Sequence, residues 1–219
     1  MIKQLLITAT LVACVTLTGC ESTYYDAMET VGIHKRDILI DRVSETRDAQ
    51  KESQEQFQSA LEQLTVLINF DGGKLQEVYE TMQDEYDTSL SAAEKVKGRV
   101  EKVESVANAL FDEWREELEQ YSSANLRKDS EMKLKKTERK FAKLLRSMRQ
   151  AERKMDPVLS ALKDNTLYLK HNLNAQAIGT IKGEYDNIKA DVNALIADMN
   201  NAIAESDAFI AEMQSQQSQ

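Results

Sequence analysis

Apolar residues recur along this chain at alternating intervals of three and four positions, and the pattern persists for tens of residues at a time. This spacing places the apolar side chains along one side of a helix and is typical of helices that pack as coiled coils. Four runs carry the pattern, and they extend over residues 39–67, 79–121, 134–169 and 178–213. The first run predicts its helix least clearly, because Thr46, Gln50 and Ser53 occupy the middle of its apolar seam.

Polar breaks separate the runs and predict turns at residues 69–74, 121–129 and 171–179. The first break contains paired glycines, the second contains residues that cap helices, and the third contains asparagines that tolerate a left-handed backbone. Helices of about 45 residues would be about 65–70 Å long. Short connections force neighbouring helices to run antiparallel, so the pattern predicts an all-α fold, an elongated antiparallel four-helix bundle or long coiled coil. A pair of long hairpins that dimerise is the alternative.

Charged residues beside the seams predict how the third and fourth helices align. At heptad position g the third run carries Lys133, Lys140 and Lys154, and the fourth run carries only acidic residues. Antiparallel neighbours meet through these positions. The predicted ion pairs are therefore Lys133–Glu212, Lys140–Glu205 and Lys154–Asp191. This register centres the connecting turn between residues 172 and 173.

Pro157 lies inside the third run, directly after Asp156. These two residues could restart a helix as its cap and first residue. The heptad spacing continues across them, however, and this favours a kink within one helix. Gly98 of the second run falls at a similar level, where plain packing is the favoured interpretation and a close helix approach or a hinge is the alternative.

The N-terminal residues have a different pattern. After Lys3, residues 5–17 are almost entirely apolar. A stretch of about 13 residues is too short to span a bilayer as a helix, which takes about 20 residues, and it fits the apolar region of a signal peptide. The following Leu17-Thr18-Gly19-Cys20 resembles the lipobox of bacterial lipoproteins. This resemblance implies that Cys20 becomes the lipid-bearing N-terminus.

The cysteines leave two alternatives. Cys14 ends a looser lipobox match, Leu11-Val12-Ala13-Cys14, and Cys20 could instead be a buried free thiol. With cleavage before Cys20, residues 1–19 are a lipoprotein signal peptide and residues 20–219 form a single elongated coiled-coil domain. Lipidation of Cys20 would leave no thiol for a disulfide, a nucleophile or a metal. The resemblance to bacterial lipoproteins also implies that Glu21, the residue after Cys20, favours sorting to the outer membrane.

Composition argues against several classes of function. Seven glycines and one proline are few for a sheet-rich or loop-rich protein of 219 residues, and a net charge of -9 disfavours general binding to nucleic acid. His34 and His171 fall at opposite ends of the predicted bundle, about 55–65 Å apart, and cannot share a metal. Carboxylate pairs such as Asp112–Glu113 have no predicted pocket and are interpreted as a solvated helix face. We therefore expect no enzymatic activity, no cofactor and no metal.

One stretch departs from the acidic balance, because residues 133–154 contain ten Lys or Arg and two Glu. Most of these cations can pair with neighbouring acidic helices, but Arg139, Arg146 and Arg153 recur every seven residues at the outward heptad position f. The residues that flank them are Lys136, Lys143 and Arg149. Guanidinium groups bind carboxylates and phosphates in a fork. Our hypothesis is that this face meets an anionic partner, a protein or an envelope polymer, and a solvated face is the alternative.

Two stretches, residues 24–57 and 167–179, resemble a bacterial lipoprotein family catalogued as domain of unknown function 2959. The resemblance covers essentially the whole chain after the signal peptide. It implies a location in the cell envelope and a helical coiled-coil fold, and it brings no established activity and no catalytic residues. Together with Cys20 it leads us to expect a lipid-anchored scaffold or protein-interaction module at the periplasmic face of the outer membrane. A helical regulator of an envelope enzyme or of stress signalling is the alternative, and the oligomeric state stays open.

Overall fold

The computed structural model describes Tyr25, Met28 and residues 32–217. The long helices among these residues are α1 (Lys35–Ile68), α2 (Leu75–Leu118), α3 (Ala124–His171) and α4 (Ala175–Gln217). The signal peptide, Cys14 and Cys20 lie outside the described residues, so their predicted roles stay predictions. No helix in the described part of the chain combines the length and the apolar character needed to cross a membrane.

Each connection between the helices has a local cause in the sequence. After α1, Gly72 and Gly73 adopt φ values of 152° and 120°, which residues with a side chain rarely adopt. Before α3, the hydroxyl of Ser123 accepts a hydrogen bond from a backbone N–H in the first turn of the helix. Before α4, the side-chain oxygen of Asn174 accepts a similar bond of 3.1 Å. Both caps satisfy backbone donors that helix geometry leaves unpaired.

The four helices of the described region close into one bundle. α1 packs against α2, α2 against α3, α3 against α4, and α4 against α1, so α1 and α3 occupy diagonally opposite corners. Consecutive helices run antiparallel across their short connections, and α1 and α3 therefore run in the same direction. We call the end that holds the start of α1 the near end, and the other the far end. The predicted all-α four-helix bundle is confirmed, and one chain supplies all four helices.

The predicted apolar seams face the interior of the bundle. Residues from all four seams join one buried apolar cluster, for example Val43, Val100, Leu144 and Leu195. Towards the near end, the ring of Phe141 meets those of Phe111 and Phe209 edge to face, at centroid distances of 5.6 and 6.0 Å. Such edge contacts add about 0.5–1.5 kcal/mol each to the stabilisation that burial alone provides.

The polar seam of the first run is buried as well. Thr46, Gln50 and Ser53 on α1 are each 0% exposed, and so is Ser89 on α2. The Thr46 hydroxyl donates a hydrogen bond of 2.7 Å to the backbone carbonyl of Arg42. The side-chain amide of Gln50 and the hydroxyls of Ser53 and Ser89 have no hydrogen-bond partner among the residues that the structure describes. Thr46, Gln50, Ser53 and Ser89 are thus polar side chains buried within the apolar core.

Two connections are shorter than the sequence predicts. The break at 121–129 reduces to residues 119–123, and the break at 171–179 reduces to residues 172–174. The caps at Ser123 and Asn174 explain the difference, because each starts its helix before the polar segment has ended.

Pro157 does not break α3, which continues through it as one helix. This agrees with the heptad spacing that crosses it in the sequence. Its ring lies on the exposed side of α3, where water can satisfy the carbonyl that loses its helical hydrogen bond. A Cβ atom built on Gly98 would meet nothing within 4 Å, so this glycine serves no close helix approach.

The predicted ion-pair ladder between α3 and α4 is wrong by one heptad. The observed pairs are Lys140–Glu212 and Lys154–Asp198, in place of Lys140–Glu205 and Lys154–Asp191. Lys133 pairs within its own helix, with Asp129 at 2.8 Å. The cause is the tilt of each Cα–Cβ bond towards the N-terminus of its helix. Facing side chains of antiparallel helices lean in opposite directions along the axis, so a lysine meets a carboxylate that lies beyond its own level.

Candidate interaction face

Three arginines form a line on the outer surface of α3. Arg139, Arg146 and Arg153 are exposed, and no ion pair joins them to another residue of the described chain, whereas neighbouring cations do form such pairs. A spacing of seven residues puts successive side chains about 10 Å apart along a helix. We call these three residues the basic line. The structure therefore places three long cations on the outside of the bundle, as the heptad pattern predicts.

The predicted flanking lysines are engaged by the bundle itself. Lys136 and Lys143 reach across the seam to α4, where they pair with Glu212 at 2.9 Å and Glu205 at 2.6 Å. Long lysine side chains can cross a seam in this way from a position next to the outer face. These two charges are therefore largely neutralised within the chain.

Arg149, the third flanking residue, turns towards α2. Its guanidinium group donates to Glu104 on α2 at 2.6 Å and to Glu152 on its own helix at 2.8 Å. Burial acts to lower the pKa of Arg149, but the hydrogen bonds to both carboxylates outweigh it and the pKa is raised. Arg149 thus remains charged and bound to its partners. Of the six residues in the predicted face, only the basic line keeps cations that no described carboxylate neutralises.

A line of opposite charge runs along the outer surface of α1. Asp41, Asp48, Glu55 and Glu62 recur every seven residues, and all four are exposed. Asp48 pairs with the adjacent Arg47 at 2.8 Å. We call these four residues the acidic line. The expectations drawn from the sequence did not include this line, although its residues occupy the outward heptad position of the first run.

α2 also carries four exposed acids at a spacing of seven residues. They are Glu80, Asp87, Glu94 and Glu101, and we call them the α2 acids. The exposed residues Lys97 and Lys102 lie beside the last two of them. Glu94 also lines a groove that it shares with Arg153 of the same chain. Part of this α2 surface is therefore already balanced by cations nearby.

Two grooves lie between helices α3 and α4 in the described part of the chain. A groove of about 380 Å³ lies between α3 and α4 near the far end, beside Tyr168 and Glu184. Another, of about 210 Å³, has Phe209 on its wall and the Lys143–Glu205 ion pair along its rim.

The histidines lie far apart, as the sequence predicts. His34 precedes the first residue of α1 at the near end, and His171 is the last residue of α3 at the far end. Within the described residues, no group of three or more His, Cys, Asp or Glu side chains is placed to hold a metal ion.

Comparison with known proteins identifies the family. Residues 24–213 match the family described as "Protein of unknown function (DUF2959)", and the chain belongs to that family. The match confirms the family resemblance that residues 24–57 and 167–179 showed. No curated protein and no solved structure matches the chain.

Proposed function

We propose that this member of the DUF2959 family is a lipid-anchored helical rod, and that it acts as a structural scaffold or protein-interaction module at the periplasmic face of the outer membrane. The lipobox-like Leu17-Thr18-Gly19-Cys20 supports a lipid anchor, and Glu21 supports the outer membrane as its location. Acyl chains on Cys20 would hold a polar rod at the membrane surface, since each buried CH₂ group contributes about 0.8 kcal/mol.

The observation that carries the proposal is the way in which the four helices pack, with their apolar faces inside and their charged faces outside. The apolar seams of α1 to α4 are buried against each other. The longest helix, α3, has 48 residues, which corresponds to about 70 Å. The part left for other molecules is a long, charged outer surface. Ligand pockets are usually concave and mostly apolar, so this surface favours binding along the rod over chemistry in a pocket.

The position of the anchor would orient the rod. Lys35, the first residue of α1, follows Cys20 by fifteen residues in the sequence. A lipid on Cys20 would therefore join the bundle at its near end, and the far end would point away from the membrane. The basic line and the acidic line would then face sideways, towards molecules that stand in the same layer.

Substitution of Cys20 tests the anchor. In cells fed an alkyne analogue of palmitate, the parent chain and Cys14→Ser should both take up label, and Cys20→Ser should take up none. Fractionation should find the labelled forms in the outer membrane and Cys20→Ser elsewhere. Full labelling of Cys20→Ser, or loss of label in Cys14→Ser with retention in Cys20→Ser, would refute an anchor at Cys20.

A further inference from the structure

The basic line and the acidic line match each other in geometry as well as in charge. Both occupy outward positions at a spacing of seven residues, and they lie on α3 and α1, at diagonally opposite corners of the bundle. A single chain cannot bring them together. A second copy placed beside the first can do so, because the rows of side chains have the same spacing of about 10 Å.

We propose that the basic line on α3 docks against the acidic line on α1 of a second copy of this chain. The arginines of the basic line then face carboxylates of the acidic line. Each copy keeps one unused line on its opposite corner, so the contact is heterologous and repeats. The product is an open row of rods that stand side by side.

Ion pairs inside the bundle relate the heights of the two lines. Along α4, Asp207 pairs with Arg47 of α1 at 2.9 Å, and Glu205 pairs with Lys143 of α3 at 2.6 Å. Two residues of α4 correspond to about 3 Å, so Arg47 and Lys143 lie at nearly the same height. Arg47 lies within the stretch of α1 that carries the acidic line, and Lys143 lies within the stretch of α3 that carries the basic line. By this route the two lines therefore overlap in height.

A second route gives a much smaller overlap. Along α2, Arg99 pairs with Glu45 of α1 at 2.8 Å, and Glu104 pairs with Arg149 of α3 at 2.6 Å. Five residues of α2 correspond to about 8 Å, so Arg149 lies nearer the near end than Glu45 by that distance, and of the basic line only Arg153 reaches the height of the acidic line. At a common height the facing part of the two lines therefore ranges from Arg153 alone, by this route, to all three arginines, by the first. This level arrangement rests on the proposed function, because anchors in one membrane would supply the common height.

The acidic line on α1 fits the arginines better than the α2 acids do. The α2 acids that come closest in height to the basic line are Glu94 and Glu101, since Glu104 pairs with Arg149. That part of α2 also carries the exposed cations Lys97 and Lys102. On α1, Lys51 is the exposed cation next to the line. Arg47 pairs with Asp48, but α1 carries no cation beyond Lys51, so an approaching arginine meets a more negative surface around Glu55 and Glu62.

Lipid headgroups are a poorer match than a second copy. Arg139 lies fifteen residues beyond the start of α3, or about 22 Å along the helix. The other two arginines lie still further from the near end. Charges at the membrane surface are screened over about 8 Å at physiological salt, so they do not reach the basic line.

Charge exchange between two variants tests the contact. Full-length chains purified in a mild detergent carry a donor or an acceptor fluorophore at the C-terminus, and energy transfer reports self-association. Arg139→Glu, Arg146→Glu and Arg153→Glu together form the α3 variant. Asp41→Lys, Asp48→Lys, Glu55→Lys and Glu62→Lys together form the α1 variant. Each variant alone should associate at least about tenfold more weakly than the parent at low salt, because attraction of several exposed pairs becomes repulsion.

A mixture of the two variants should recover the parental energy transfer, because the acidic α3 of one again meets the basic α1 of the other. High salt should weaken the parent and the mixture alike. Recovery also shows that both variants are folded, and circular dichroism should find their helicity unchanged. The matched control changes Glu80, Asp87, Glu94 and Glu101 to Lys, which alters net charge as much as the α1 variant does. This control should associate like the parent, and mixed with the α3 variant it should give no more energy transfer than the parent mixed with that variant does.

Several outcomes would overturn the proposal. One is a parent that shows no energy transfer above that of unlinked fluorophores at low salt. A second is a mixture of the α3 and α1 variants that stays dissociated, and a third is an α2 control that associates with the α3 variant more strongly than the parent does. Binding of the arginines to another protein or to an anionic polymer, with self-association unchanged in the α3 variant, would also overturn it. Lipid labelling is measured separately, so failure of the anchor and failure of the contact are distinguishable.

Discussion

Gln50 is a fully buried polar side chain whose amide has no partner among the described residues. A buried amide without hydrogen bonds costs about 1–3 kcal/mol, and an apolar side chain of similar shape avoids that cost. Gln50→Leu should therefore raise the free energy of unfolding by about 1 kcal/mol or more, and thermal unfolding should shift upwards by about 2–4 °C.

Gln58→Leu is the control for this change, because Gln58 is an exposed glutamine on the same helix. Its effect should lie within about 0.5 kcal/mol of zero. Destabilisation by Gln50→Leu would contradict the assignment of Gln50 as an unpaired group, and would show instead that the amide is satisfied, for example by internal water.

Single residues also show where sequence reasoning stops. The outward position of Arg146 follows from the heptad count alone, and the structure agrees with it. The engagement of Lys143 and Arg149 did not follow, since it depends on how far each side chain reaches across a seam to Glu205 or Glu104. How far a side chain extends depends on its rotamer and on which residues of the next helix lie at its height. A pattern of positions along the sequence contains neither.

At the scale of the helices, the register between α3 and α4 is testable by a double-mutant cycle. Lys140→Glu and Glu212→Lys should each lower stability by up to about 1 kcal/mol, because each removes an exposed or partly buried ion pair. The reversed pair, with both changes, should recover part of that loss through a coupling of about 0.5 kcal/mol. Chemical denaturation of the four proteins measures it.

The comparison that decides the register uses Glu205→Lys in place of Glu212→Lys. Combined with Lys140→Glu, it should show no coupling, because Lys140 pairs with Glu212 and Glu205 pairs with Lys143. Coupling to Glu205 but not to Glu212 would restore the register that the g positions predicted and would contradict the observed one.

The helices themselves could be predicted because their cause is periodic. Apolar residues at intervals of three and four set the inward face of every helix, and Gly72 and Gly73 mark the first turn. The helix starts at Ala124 and Ala175 were placed too late, since a single capping side chain can begin a helix inside a polar segment. The alignment of α3 with α4 was displaced, because it depends on the tilt of side chains that a count of positions ignores.

At the scale of the whole molecule, the fold separates two tasks. The buried seams hold the bundle together, and the outer corners of α1 and α3 carry opposite charges, of which Asp48 pairs with Arg47 of the same chain. Individual exposed ion pairs contribute only about 0–1 kcal/mol each, so a row of rods would form weakly in free solution. Anchoring in one membrane would raise the effective concentration of neighbouring copies and strengthen the same contacts.

The central claim is that these corners join copies of the chain in the cell envelope, and photo-crosslinking in cells tests it most directly. A photoreactive amino acid replaces Ser160, which is exposed one heptad beyond Arg153 and leaves the basic line intact. Ser91, exposed on the outer side of α2, takes the same replacement as the control. Cells also express a second copy with a distinct tag, and mass spectrometry locates the linked peptides.

We expect the crosslinker at position 160 to join the tagged copy through α1, between Asp48 and Ile68, and the crosslinker at position 91 to yield no such product. Changing Arg139, Arg146 and Arg153 to Glu in the same chain should remove the product. Crosslinks from position 160 that reach only other molecules, or that reach a second copy equally well from position 91, would contradict the account.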